Sequence, residues 1–95
     1  MRDEHAPDDD AQIALTPDEA VVLFELLWRW SDARSSAATP SASCFESTAE
    51  CAVLHSLLAG LEKQMVAPFK EQYVELLGEA RSRLQPSWGY PTLKG

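Results

Sequence analysis

The sequence predicts an all-α protein, a three-helix bundle, and three observations carry that expectation. A capped amphipathic stretch opens at Thr16. A second stripe runs at helical spacing from Cys51 to Met65, and a third from Phe69 to Leu84. Ninety-five residues, 45% of them hydrophobic, suit one domain with a small core. The helices are expected at about 17–33, 46–66 and 69–84. The chain then divides into a disordered acidic lead over 1–15, a single helical domain over 16–85, and a Pro/Gly/aromatic tail over 86–95.

The lead carries Pro7 and the run Asp8-Asp9-Asp10. It has too little apolar surface to offset the entropy of ordering. Three consecutive carboxylates fan outward and show no metal-ligand spacing, so they read as a solvated charge run. Gln12 to Leu15 alternates weakly and is compatible with a short extended stretch.

Thr16-Pro17-Asp18-Glu19 is the clearest local signal. Thr16 and Glu19 have the spacing of a reciprocal capping box, and proline at the first helical position loses no needed donor. The helix that follows is unusual. Ala20, Leu23, Phe24, Leu27 and Trp30 form one stripe, flanked by Val21, Trp28 and Leu26. The polar stripe is narrow: Asp18, Glu25, Arg29 and Asp32, with Val22 among them. Glu25 and Arg29 stand in the favourable i, i+4 order. A helix this apolar needs neighbours on more than one side, either as the central helix or against another chain.

Residues 34–44 are small and polar, without periodicity, and read as a long Ser/Ala-rich loop. Ser43 to Glu46 and Ser47 to Glu50 each offer a capping box, so the second helix starts between 44 and 48. Its main stripe is Cys51, Leu54, Leu57, Leu58, Leu61 and Met65. A second stripe of small residues includes Ala49, Ala52 and Gly60 and suggests close helix approach. Pro68 ends this helix and opens the next. With so short a link, the second and third helices are expected to pack as an antiparallel hairpin. The third helix sets Glu71, Glu75 and Glu79 opposite its apolar face, with Glu79 placed to pair with Arg83. The tail carries Trp88, Tyr90 and Leu93 as apolar anchors that either fold back on the bundle or dock on a partner.

Charge and composition exclude several activities. Fifteen acidic residues against eight basic give a net charge of −7, which opposes nucleic-acid and anionic-membrane binding. No apolar run reaches the roughly 18 residues of a membrane span. The N-terminus lacks the apolar stretch of a secretory signal, so a cytoplasmic protein is expected. Cys44 and Cys51 make no disulfide framework and read as reduced thiols. There is no phosphate-binding glycine loop, no metal-spaced Cys/His cluster and no activated nucleophile. His55 reads as a surface residue beside Glu62. The carboxylate pairs Glu46/Glu50 and Glu75/Glu79 read as solvated helix faces. The expectation is a protein that is not an enzyme and uses no cofactor or metal.

LTPDEAVVLFELLWRW, followed by LEKQMVAPFKEQYVELLGEARSRL, resembles a group of small bacterial proteins of unknown function. Their shared pattern is an LT-x-x-EA-x-VLF helix and a later LEKQ-x-V-x-PF-x-x-x-Y-x-x-LL-x-x-AR segment. The resemblance spans Leu15 to Trp30 and Leu61 to Leu84. The Ser/Ala-rich loop and the aromatic tail depart from it. It implies a helical, bacterial, cytoplasmic protein and supplies no catalytic residue.

The functional expectation is a small acidic protein-binding module, of immunity or antitoxin type, covering a basic protein partner. Trp28, Trp30, Trp88 and Tyr90 are the candidate anchors, since aromatic residues dominate interface energetics. Glu75 and Glu79 are candidate electrostatic contacts. The alternative is a homodimeric or larger homo-oligomeric structural or accessory protein, paired through the spare apolar face of the first helix.

Overall fold

A computed structural model describes residues 10–65 and 71–95. The lead through Asp9, the break at Pro68, the aromatic Phe69 and most of the expected tight link lie outside the described residues. Three helices form the bundle: α1 (Pro17–Ser31), α2 (Thr48–Gln64) and α3 (Tyr73–Leu84).

The N-terminus of α1 is set by local chemistry. The Glu19 amide donates to Thr16 Oγ1 at 3.1 Å, and the Thr16 amide donates to Glu19 Oε1 at 2.9 Å. Two orphan donors are satisfied reciprocally. The helix ends two residues earlier than expected because Asp32 offers the backbone another partner. Its Oδ1 accepts from the Arg34 amide at 3.0 Å and from Arg34 Nε at 3.1 Å. A short acidic side chain that bonds two residues ahead makes a turn in place of another helical turn.

Ser47 caps α2, its hydroxyl accepting from the Ala49 amide at 2.9 Å. Glu50 reaches back to the Glu46 amide at 3.0 Å, one residue beyond the box its spacing suggests. The other Ser-rich pattern is used by a 3-10 turn at Ala42–Cys44. At the far end Met65 is already extended, and its side chain packs on both apolar clusters of the bundle. Helix α3 begins at Tyr73, after a turn at 71–72. It runs into a 3-10 turn at Gln85–Ser87, where Pro86 prevents a further helical turn.

Helix α1 lies between the other two. Phe24 and Leu27 pack with Leu61 of α2, joined by Ala20, Leu23, Trp30, Leu54 and Leu58. Val21 packs with Leu77 and Ala80 of α3, joined by Val22 and Tyr73. Register gives the directions. Asp18 meets Arg83 and Glu25 meets Tyr73, so α3 runs antiparallel to α1. Ala20 lies beside Gln64 and Met65, and Leu27 beside Leu54, so α2 does too. Thus α2 and α3 share a direction, each packing on α1 rather than on the other. The antiparallel hairpin expected of them is not formed. The Val21 side of α1 must also be covered, and α3 covers it.

Two polar ties hold the α1–α3 seam. Arg83 grips Asp18 with two of its nitrogens, Nε donating to Oδ2 at 2.7 Å and Nη2 to Oδ1 at 2.9 Å. This long-range bidentate pair takes the guanidinium that spacing had assigned to Glu79. Tyr73 donates its hydroxyl to Glu25 Oε1 at 2.9 Å, and Arg29 stands 3.7 Å from Glu25 Oε2 as expected. Burial, then the Glu25 carboxylate, pushes the Tyr73 phenol well above its ordinary range. It therefore stays a donor at any physiological pH.

Among the described residues the buried core is thin: Val21, Phe24, Leu27, Leu61, Leu77 and Ala80. The radius of gyration is 15.5 Å, against about 12 Å for a compact domain of this length. Leu27, the most enclosed large side chain, touches the core between α1 and α2. Leu27→Ala is expected to cost about 3 kcal/mol, read by urea denaturation. A loss under about 1 kcal/mol would place the core elsewhere.

The Asp18 tie predicts a pH dependence. Hydrogen bonding to Arg83 holds the Asp18 carboxyl below its ordinary value. A folded value lowered in this way contributes stability above the unfolded value of about 3.9, and that stability is lost as pH falls through the folded value. The melting temperature of Asp18→Asn should therefore fall below that of the parent at neutral pH. The gap should close below about pH 4. A gap that persists into strong acid rejects the ion pair as its source.

Candidate functional site

The six expected partner-binding residues are distributed over four places. Trp28 sits on the flank of α1, 39% exposed. Trp30, two residues on, points to the other side. It is half-buried against the α1–α2 core, and its carbonyl accepts from Thr39 Oγ1 at 3.0 Å. That packing leaves Trp30 less exposed than Trp28. What remains of its surface lines a cavity of about 210 Å³ shared with Phe45, Cys51, Leu54 and His55. No carboxylate lines that cavity; Ser31, Thr39 and His55 set polar groups among its apolar walls. Among the described residues no group of three His, Cys, Asp or Glu side chains could hold a metal ion, and both cysteines are free.

Glu75 and Glu79 do come together. They are exposed on the outer side of α3, bordering a shallow depression with Gly78, Ser82 and Arg83. Glu71 stands in the turn just before the helix. Among the described residues neither Glu71 nor Glu75 has an ion pair, whereas Arg29, Arg34 and Arg83 are each tied to a carboxylate. The exposed apolar residues of α3, Val74 and Leu76, stand among these acids in sequence.

Trp88 and Tyr90 also come together, in a way the spacing did not suggest. Their rings meet edge to face, 5.2 Å between centroids at 66°, a favoured aromatic geometry. Trp88 Nε1 donates to the Thr92 carbonyl at 3.0 Å, and Thr92 Oγ1 donates to the Gly95 carbonyl at 2.8 Å. The tail thus closes on itself and is neither an extended strand nor a cover for the bundle. Tyr90 remains 63% exposed.

One apolar surface was missed. Val53 and Leu57, four apart on α2, are 64% and 41% exposed. Leu57 borders a groove of about 450 Å³ whose other wall is Ile13, Leu15 and Pro17. Val53 lines a second depression with Phe45 and Ala49. The signal available is the i, i+4 spacing of Val53 and Leu57, which the adjacent run of inward-facing leucines masks.

No known protein family, curated protein or solved structure matches the chain. The physical layout alone therefore bears on function. Because the tail bonds to itself, truncation after Gln85 is expected to lower the melting temperature by less than about 4 °C, equivalent to under 1 kcal/mol. A collapse of the thermal transition followed by circular dichroism would show that the tail supports the bundle.

Proposed function

We propose that this chain is a small acidic protein-binding module that covers a basic protein partner, in the manner of an immunity protein or antitoxin. The supporting observation is the outer side of α3. There Glu71, Glu75 and Glu79 are exposed while Arg83 is held by Asp18. Exposed carboxylates raise the local field and speed encounter with a basic surface, with Arg83 beside Glu79 offsetting part of that field. Val74 and Leu76, exposed on the same helix, supply the apolar contact that steering alone does not give. Trp88 and Tyr90, braced against each other, are rigid anchors at the end of the chain. A cytoplasmic site of action belongs to this reading. Among the described residues no helix is long and apolar enough to cross a membrane.

The test compares the full chain with Glu75→Lys/Glu79→Lys as bait in the native lysate, at low and high salt, with mass spectrometry of what is retained. The expected outcome is one basic protein, recovered at low salt, reduced at high salt and lost at least tenfold with the charge-reversed bait. Equal recovery by both baits, or recovery only of proteins without basic character, rejects the α3 face as the contact.

A further inference from the structure

We infer that the cavity between the end of α1 and the start of α2 binds a small neutral aromatic molecule carrying an O–H or N–H donor. Leu27, only 2% exposed, closes its base, with Leu54 packed beside it. Trp30 and Phe45 supply flat aromatic surface, and Pro40 borders it from the loop. His55 is exposed and stands at the mouth. No residue of α3 lines the cavity, so it is separate from the acidic face.

Local bonds hold its walls apart. Thr39 Oγ1 donates to the Trp30 carbonyl at 3.0 Å and anchors the loop across the end of α1. The Phe45 amide donates to the Ala42 carbonyl at 3.1 Å, which closes the 3-10 turn just ahead of the ring. Beyond Phe45, Glu50 accepts from the Glu46 amide and Ser47 from the Ala49 amide, so the junction with α2 is fixed as well. A ligand therefore meets a formed site and costs little further ordering of the chain.

Three properties of the cavity choose the ligand. Volume sets its size. An apolar cavity of about 150 Å³ holds benzene, so one of about 210 Å³ takes a single ring with one or two small substituents. Lining charge sets neutrality. No Asp, Glu, Lys or Arg borders the space, and a charge removed from water without a partner is costly. Thr39 sets the hydrogen-bond polarity. Its one hydroxyl proton is committed to the Trp30 carbonyl, so within the cavity its oxygen offers lone pairs only and calls for a donor. Ser31 and His55, which border the same space, can pair with the remaining polar valence of that donor group.

Phenol is the probe, titrated into the full chain and followed by nitrogen-15 NMR. It should shift the Trp30 indole and the Thr39 amide saturably, with a Kd of about 1 mM, the range open to a ligand this small. Anisole, which keeps the ring and oxygen but lacks the donor, should bind about fivefold more weakly or worse. Benzoate, which brings a charge, should bind about tenfold more weakly or worse. Cys51→Phe, which fills the cavity from α2, should keep the helical circular-dichroism spectrum and abolish the phenol shifts. Val74→Glu, on exposed α3 surface, should leave them unchanged. The absence of saturable shifts up to about 10 mM phenol overturns the proposal. So does anisole or benzoate that binds as tightly as phenol, or a folded Cys51→Phe that binds phenol like the parent. Should Cys51→Phe not fold, the ligand series and the location of the shifts on the parent chain still decide. The outcome stands apart from whether α3 takes a basic partner, because no partner is present.

Discussion

The constraint on which this fold depends is the circumference of α1. Its apolar residues are spread too widely for one neighbour to cover, and burying them is the main source of stability available to a chain this short. Phe24 and Leu27 turn toward α2, while Val21 turns toward α3. Satisfying both sides places α1 in the middle. It also gives α2 and α3 a common direction, since each runs against α1 and neither needs the other. The ties Asp18–Arg83 and Glu25–Tyr73 lie toward opposite ends of the α1–α3 seam. A partly exposed ion pair adds little energy on its own. This ion pair and the Tyr73–Glu25 hydrogen bond, at a distance from each other, nonetheless hold one register against sliding.

The layout has a consequence for the surface. In a bundle where each pair of helices packs, every helix gives up a wide arc to its neighbours. Here α2 and α3 each surrender one narrow face to α1 and keep the rest. What they keep differs in kind. On α2 it is Val53 and Leu57; on α3 it is a row of glutamates with Val74 among them. Among the described residues, Val53, Val74, Trp88 and Tyr90 keep more than half of their surface exposed, and apolar surface of that kind is available to other molecules.

How much of this was legible in the sequence varies with the range of the interactions. The start of α1 was readable to the residue, because Thr16, Pro17 and Glu19 act within one turn. Its end was not, because Asp32 bonds forward to Arg34 by a choice between two local options that spacing does not rank. Glu79 and Arg83 looked like a pair for the same local reason, yet Asp18 lies 65 positions away and offers both oxygens. The proline break suggested a tight reversal. Direction, however, was set by the uncovered Val21 side of α1, which no window of the sequence displays. At the candidate site, Glu75 and Glu79 were placed correctly on one face by periodicity. The closure of Trp88 onto Thr92 depends on a side chain reaching a carbonyl within a proline-bent tail, and composition reveals only that the tail is not helical.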